Sequence, residues 1–512
     1  MALNGITFTL GQGGTASPIP GSDYISGYLV YNTTAPSGMT LSVPKPVFSL
    51  SQAEALGITN TYSDETAATG TITVVSSSTV GDIITIKVTE PTPNSGTKVV
   101  TLCTYTAKSS DTTATLLAQS IKSAINNNLT SGYVATGSAA ILTITARAGM
   151  GIALNSGTPI SYTNSNVSSP GLITISQFSG GVGSKLAQWH YQISEFFRLQ
   201  PSGKLWIGFY TTPGTYNFTE LNSMQTVANG EIRQFMVFSP NGTSASNINA
   251  DLDAIQLIGT AMFANYSPAS IIYAPNIFAI SDLTTLPNLR ARNDNYVSCV
   301  IAQDGNALGA TLCLTTGVSI PAMGACLGTV ALAKVENDIA WVGKFNITNG
   351  TEDEVPALSN KNLISSVSAG QLNSLDSYGY IFLINKIGIT GSYWNDSHVA
   401  CSPTSDYAYI ERNRVIGKAQ RVLYTSWIGL QNSDLFLNAD GTLTTSTIRI
   451  FKDAVAPSMN QMVANAEISA YAINIDPTQN VVSTSTLSIS VEIVGVGIAR
   501  NISVQLGFVL AL

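Results

Sequence analysis

Hydrophobic and polar residues alternate in short stretches between residues 69 and 179, which is the pattern of half-buried strands. One helix interrupts them, because Leu117, Ile121 and Ile125 recur at every fourth position and form an apolar stripe. The pattern therefore predicts a small α+β module. Its alternating stretches are 71–75, 84–88, 100–104 and 142–146.

From residue 184 to residue 390 the pattern changes to helices that alternate with short, wholly apolar strands. Strands of this kind are typical of parallel sheets whose two faces are covered by helices. The region therefore predicts an α/β core domain. Its expected apolar strands include 271–273, 297–302, 339–342 and 380–383.

Residues 391–512 predict a C-terminal α+β domain with long terminal strands. We expect a long helix over 407–427, a second helix over 451–466, and strands after it. The last strand, 501–512, is apolar to its end and needs a partner strand. A partner in another subunit would make the contact a β-augmentation. Its alternating apolar residues are Ile502, Val504, Leu506, Phe508 and Leu510.

Residues 1–68 predict an N-terminal arm followed by the start of the core. The run 24–31 is strand-like, the stretch 36–46 is rich in proline, and both suit an extended arm. The whole chain is thus expected to be an α/β and α+β multidomain protein, in which an outward-facing module, 69–179, is inserted. The arm begins with a second candidate intersubunit strand, whose apolar residues are Ile6, Phe8 and Leu10.

The charge of the chain argues against nucleic-acid binding. Twenty-three Lys and Arg against 30 Asp and Glu give a net charge of −7, whereas binding to phosphates needs clustered cations. Only 10% of the residues are charged while 44% are hydrophobic. A surface so poor in charge suits burial against other subunits, so the composition favours an assembly component.

Neither a membrane protein nor a secreted protein is indicated. The apolar runs are too short to span a bilayer, and residues 1–10 lack the basic start of a signal peptide. The chain is therefore expected to fold in a cytoplasm with reduced cysteines, since these are odd in number and lack metal-site spacing. They are Cys103, Cys299, Cys313, Cys326 and Cys401.

The sequence predicts no enzyme. It lacks the motifs of zinc proteases, serine hydrolases and nucleotide-binding loops, so we expect no catalytic, cofactor-binding or metal-binding residue. His190 is favoured as a helix-face or interface residue. His398 has Asp396, Ser397 and Cys401 close by in sequence, but catalytic triads are assembled in space, so this crowding is weak evidence.

Arg414, Lys418 and Arg421 recur at i, i+4 and i+7 on the helix expected over 407–427, and they form one basic stripe. The ordinary interpretation is a solvated helix face. In a chain so poor in charge, the alternative is a set of ion pairs with a neighbouring subunit or an inner tube, and we carry this alternative as a prediction.

Residues 405–419 read SDYAYIERNRVIGKA. This helix start, with the glycine-aromatic strand before it, resembles the region of contractile bacteriophage tail sheath proteins that precedes their C-terminal domain. The opening, with GITF at 5–8 and DYISG at 23–27, and the closing ARNI at 499–502 are similar to the termini of that family. The resemblance covers the arm and residues 184–512, whereas the inserted module has no fixed counterpart.

The resemblance implies a structural subunit that forms a helical homopolymer of stacked six-membered rings around an inner tail tube protein. It also implies contacts with baseplate and tail terminator proteins, and a contraction that drives the tube through the host envelope. Such a subunit would assemble in the host cytoplasm into a virion tail, without nucleic acid, cofactors or stable membrane insertion. Two other classes stay open: a non-contractile virion or tail-tube structural protein, and a surface adhesin.

Overall fold

The computed structural model describes residues 22–165, 171–348 and 350–508. They form a central α/β unit, an inserted α+β module and a C-terminal unit of helices and a hairpin. Some apolar residues of the two expected terminal strands lie outside the described residues. They are Ile6, Phe8, Leu10 and Leu510.

The chain enters the central unit through a buried strand, β1 (Ile25–Tyr31). Strand β2 (Lys45–Val47) and the short helix α1 (Leu50–Ala55) follow it. The expectation that residues 24–31 belong to an extended arm is wrong. β1 lies in the interior of the largest sheet, where two neighbouring strands cover both of its edges.

A hydrophobic core of its own holds the inserted module together. Its strands form two sheets, of the orders β6-β7-β3-β9 and β5-β4-β8. Leu117, Ile121 and Ile125 are fully buried on its helix, which confirms the predicted stripe. The elements are β3 (Thr69–Val74), β4 (Ile83–Thr92), β5 (Gly96–Thr106), α2 (Ala114–Asn127), β6 (Val134–Thr136), β7 (Ile141–Thr145), β8 (Ile160–Asn164) and β9 (Ile173–Ser179).

The chain enters and leaves the module at one place. Thr66 and Val182 exchange two backbone hydrogen bonds, of 3.1 and 2.9 Å, so the chain leaves and returns side by side. Beyond this joint, the Glu65 carboxylate accepts hydrogen bonds from the backbone N–H groups of Gly149 and Gly151. The arrangement is that of an insertion between two adjacent ends.

The first half of the central unit alternates helices and strands as predicted. Its elements are α3 (Lys185–Leu199), β10 (Lys204–Tyr210), α4 (Glu220–Val227), β11 (Gln234–Ser239), α5 (Ala245–Ala264), β12 (Ser270–Pro275), β13 (Asn293–Asp294), β14 (Val297–Val300) and β15 (Ala302–Asp304). Ser side chains cap two of these helices, since Ser184 accepts from the Ala187 N–H and Ser244 from the Asn247 N–H.

The second half completes the sheet and adds small two-stranded pairs. The elements are α6 (Leu308–Thr316), α7 (Met323–Leu332), β16 (Pro356–Leu358), α8 (Ala369–Ser377), β17 (Tyr380–Ile381), β18 (Leu383–Lys386), β19 (Ile389–Trp394) and β20 (Ala400–Cys401). The main sheet has the order β17-β14-β12-β11-β1-β10-β2, parallel except for β2. The strand expected over 339–342 is a turn, because Asp338 accepts hydrogen bonds from the backbone N–H groups of Ala340 and Trp341.

The C-terminal unit packs a hairpin against two long helices. Its elements are α9 (Ile410–Trp427), α10 (Thr445–Ala464), β21 (Ala470–Asn474), α11 (Val481–Thr484) and β22 (Ser490–Val494). β21 and β22 pair antiparallel, and their apolar side chains contact those of α9 and α10. Among the described residues, no helix is long and apolar enough to cross a membrane.

Candidate assembly interface

Arg500 fastens the start of the C-terminal segment to the first turn of α9. Its guanidinium group lies 2.9 Å from an oxygen of Asp338 and 3.0 Å from an oxygen of Asp396, and it also pairs with Glu411. The same group lies over Tyr409, 3.5 Å from the centre of the ring. Three carboxylates and one aromatic face therefore hold one cation, and we call this group the Arg500 clasp.

The clasp concentrates negative charge in a buried place. Burial and the charges of Glu411 and Asp396 raise the pKa of Asp338 to about 7. Burial acts to lower the pKa of Arg500, but the carboxylates outweigh it and raise that pKa. Near neutral pH, the clasp thus holds a charged arginine and an Asp338 carboxyl close to the midpoint of its titration.

Asp23 fastens the chain just before β1 to the same helix. Lys418 Nζ lies 2.7 Å from one carboxylate oxygen of Asp23, and an Arg421 guanidinium nitrogen lies 2.9 Å from the other. Lys418 also lies 2.6 Å from Glu467. Burial acts to raise the pKa of Asp23, but Lys418 and Arg421 outweigh it and lower that pKa. Ion pairs therefore attach both Asp23, near the start of the chain, and Arg500, near its end, to α9.

The basic stripe of α9 has its partners inside the chain. Arg414 is buried and donates hydrogen bonds of 3.1 Å to the carbonyl oxygens of Ala333 and Lys334, just after α7, where a cation is favourable. Lys418 and Arg421 bind Asp23. The tertiary fold thus supplies partners for all three residues within the chain, and the expected ion pairs to a neighbouring subunit or tube stay a prediction.

A groove with an apolar floor runs between α9 and the hairpin strand β22, and charged side chains border one end of it, namely Glu336, Asp406, Glu411 and Arg412. Two adjoining clefts of about 460 and 550 Å³ form it, and Tyr407, Ile416, Val491 and Ile493 line both. Within the described residues, β22 pairs with β21 along one edge, and its other edge is free. We call this feature the α9–β22 groove, and it combines an apolar floor with unpaired backbone groups.

The segment after the Arg500 clasp lies outside this groove. The side chains of Ile502, Val504, Leu506 and Phe508 are at least 70% exposed. Residues 501–508 form no strand within the described chain, so the strand expected there has no partner in its own chain. The chain thus presents an alternating apolar segment and, separately, an open apolar groove.

The two histidines have partners that fit structural roles. His398 is hydrogen-bonded to Arg290 through Nδ1, and its Nε2 lies 3.0 Å from Asp376. His190 Nε2 lies 2.9 Å from Glu54. In the described part of the chain, neither histidine bonds to a Ser, Thr or Cys side chain. Nor is any group of three His, Cys, Asp or Glu side chains there arranged to hold a metal ion.

Sequence reasoning missed both anchors, although a signal was present. Asp23 is the one charged residue among residues 1–44, and Arg500 is the one charged residue among residues 493–512. A single charged residue in a long uncharged terminal segment is a candidate for a buried ion pair, because one isolated charge contributes little to the solubility of such a segment. Asp23 lies in the DYISG motif and Arg500 in the ARNI motif, and both motifs are among those that resemble the tail sheath family.

Comparison with solved structures finds proteins of low sequence identity. One chain comes from the anti-feeding prophage baseplate in the contracted state, with 10% identity, a TM-score of 0.45, and 100% of this chain and 99% of that chain covered. A second comes from the sheath complex of an extracellular contractile injection system, PVC, in the contracted state, with 10% identity, a TM-score of 0.40 and coverage of 63% and 81%. A third is a sheath tail protein from Desulfitobacterium hafniense, with 9% identity, a TM-score of 0.36 and coverage of 96% and 100%.

The comparisons by sequence identify a family. No curated protein matches the chain. Residues 3–398 match the DUF2586 N-terminal domain, and residues 406–512 match the DUF2586 C-terminal domain. Because the two matches follow each other and leave only residues 1–2 and 399–405 uncovered, the chain belongs to the DUF2586 family.

Proposed function

We propose that this chain is a structural subunit of a contractile tail sheath, which polymerises as stacked six-membered rings around an inner tube. One observation carries the proposal: the same chain has an exposed, alternating terminal segment and an open strand edge in the α9–β22 groove. Contact between two different patches generates rings where the rotation between subunits closes and open helical filaments where it does not, and both occur in a stack of rings with helical order. The motif resemblance supplies the class of polymer.

The lengths of the segment and the groove agree. Residues that line the groove run along α9 from Glu411 to Trp427, which corresponds to about 24 Å at 1.5 Å for each helical residue. The eight residues 501–508 span about 26 Å as an extended strand. One terminal segment therefore matches the groove of a neighbouring subunit.

The side-chain pattern agrees as well. Added to the free edge of β22, the segment would turn Ile502, Val504 and Leu506 toward the apolar side and Ser503 and Gln505 toward solvent. Each new backbone hydrogen bond contributes about 0.5–1.5 kcal/mol net, and each buried apolar side chain about 1.5–3 kcal/mol. Ile6, Phe8 and Leu10 have the same alternation and are the proposed second exchanged strand.

The contacts that we propose with other tail proteins follow from the shape of a polymer built of rings. The inner tube protein would occupy the lumen, and baseplate and tail terminator proteins would bind the two ends. Contraction would rotate the subunits about the exchanged strands without breaking them and would drive the tube through the host envelope. The subunit would have no catalytic role, and it would assemble in the host cytoplasm as part of a virion tail.

Negative-stain microscopy of the purified full chain tests the proposal. Hollow helical tubes are expected, and a chain that ends at Arg500 should remain as single, folded particles. Discrete particles from the full chain under all assembly conditions would contradict the sheath function. Tubes of one diameter that never shorten would favour a non-contractile tube instead.

A further inference from the structure

A cavity of about 190 Å³ lies beside the Asp23 anchor, under α9. Arg233, Arg414 and Arg421 line it, together with Asp23 and Asn295. Three guanidinium groups thus border this cavity with one carboxylate. The surplus of positive charge is unusual in a chain of which only 10% of the residues are charged.

Two of the three arginines have acceptors on neighbouring elements. Arg414 donates to the carbonyl oxygens that follow α7, and Arg421 pairs with one oxygen of Asp23. Lys418 pairs with the other oxygen. Both oxygens of Asp23 are therefore engaged by cations of α9, and the third arginine must find its counter-charge elsewhere.

Within the described residues, Arg233 and Arg414 both lack an ion-pair partner, but of the two only Arg233 leaves a buried nitrogen without any hydrogen-bond partner. Glu231, the acidic neighbour of Arg233 in sequence, pairs with Lys204. Arg233 donates one hydrogen bond of 2.7 Å to the Gly230 carbonyl, while its Nε is buried without a partner. The Oδ1 atom of Asn295 is also buried without a partner. Burial and the charge of Arg421 lower the pKa of Arg233 to about 9.

A half-buried cation without a counter-ion costs free energy, and a bound anion offsets that cost. We propose that this cavity binds a carboxylate, which accepts hydrogen bonds from Arg233 and Asn295. A guanidinium group matches the two oxygens of a carboxylate in geometry. The Asn295 amide can turn its NH₂ group toward the ligand by a half-turn of its side chain, so that both unpartnered residues become donors.

The cavity has the size for such a ligand. An apolar cavity of about 150 Å³ is known to hold benzene, so 190 Å³ accommodates acetate or the end of an Asp or Glu side chain. The carboxylate has two possible sources, a small organic acid in solution or an acidic side chain of a second copy. The second source rests on the proposed function, whereas the first does not.

Thermal unfolding of the full chain tests the site, with sodium acetate as the probe and acetamide as its neutral isostere, at constant ionic strength. Acetate should raise the midpoint by at least about 2 °C more than acetamide does. Arg233→Gln should abolish this difference and Arg233→Lys should keep part of it. Arg449→Gln is the matched control, because Arg449 is 80% exposed and, among the residues that the structure describes, its one ion pair is with its helix neighbour Asp453.

Zero-length carbodiimide coupling of the Arg233→Lys chain separates the two sources. A cross-link between Lys at 233 and an acidic residue of another copy identifies a second copy as the source. An acetate response without that cross-link identifies a free acid and leaves the site valid even if no tubes form. No acetate response and no such cross-link, or an equal response in the Arg233→Gln chain, would overturn the proposal.

Discussion

Lys418 and Asp23 are 395 positions apart in sequence, and their charged atoms lie 2.7 Å apart. Asp23 lies just before β1, and Arg500 holds the start of the C-terminal segment to the same helix through Glu411. Helix α9 therefore fixes the positions of both Asp23 and Arg500. If exchanged strands are to transmit motion between neighbouring subunits, they must be attached to a rigid element of the subunit, and α9 would be that element.

Charge reversal of the stripe should now unfold the subunit more easily. Lys418→Glu places a third carboxylate beside Asp23 and Glu467, so we expect a loss of about 1–3 kcal/mol of stability. Arg449→Glu, at an exposed pair, should change stability by less than about 0.5 kcal/mol. Thermal unfolding at low salt measures both. An unchanged midpoint for Lys418→Glu would show that the stripe is merely solvated.

Removal of the Arg500 clasp should release the C-terminal segment. Arg500→Met leaves Asp338, Asp396 and Glu411 without their cation, so limited proteolysis should cut after residue 494 several times faster than in the wild type. Arg412→Met is the matched control, because Arg412 also lies over Tyr409, at 5.1 Å, but is exposed. Equal cleavage rates in both variants would argue against the clasp.

Truncation after Arg500 should separate folding from assembly. The side chains of 501–508 are exposed, so their removal should leave the unfolding midpoint within about 1 °C of the wild type. The truncated chain should form no tubes. A chain with Leu506→Asp, which keeps the full length but charges the apolar face, should fail in the same way. Normal tubes from either chain would refute strand exchange by this segment.

The stability of the chain should fall as pH rises toward and through 7. The pKa of Asp338 is raised to about 7 from 3.8, so between these values the folded chain binds a proton that the unfolded chain has lost. One such proton changes stability by at most about 1.4 kcal/mol for each pH unit. Asp23 contributes in the opposite direction, since its pKa is lowered, but it does so only below about pH 4.

The Asp338→Asn variant isolates this effect, because the amide cannot ionise. Thermal midpoints at pH 5 and pH 8 should differ less in Asp338→Asn than in the wild type. Glu352, whose pKa is raised to about 7 by burial and by Asp304 and Glu195, keeps its own contribution in both chains. An equal pH dependence of the two chains would show that Asp338 is not the titrating group.

The inserted module should be separable from the rest. Because Thr66 and Val182 are paired neighbours, replacement of residues 68–180 by a short Gly/Ser linker closes a gap of one strand spacing. The shortened chain should fold and form thinner tubes. Aggregation of this chain, with the isolated module also unfolded, would show that the two cores depend on each other.

The sequence by itself determined the local elements of this protein. The stripe of Leu117, Ile121 and Ile125, the apolar strands of the core and the alternation of Ile502, Val504 and Leu506 are all periodic patterns, and a period depends only on neighbouring residues. The structure differs from the sequence prediction where a side chain bonds to the backbone. The strand expected over 339–342 is a turn, because the Asp338 carboxylate accepts a hydrogen bond from the Ala340 N–H.

Only the tertiary structure decided which distant residues meet. β1 became an interior strand because it pairs with β10 and β11, whose paired residues lie 179 and 208 positions further along the chain. The partners of Lys418 and Arg500 and the surplus charge of Arg233 have the same origin. Ion pairs form between whichever charges the packed backbone brings within a few ångströms, and no local pattern encodes that distance.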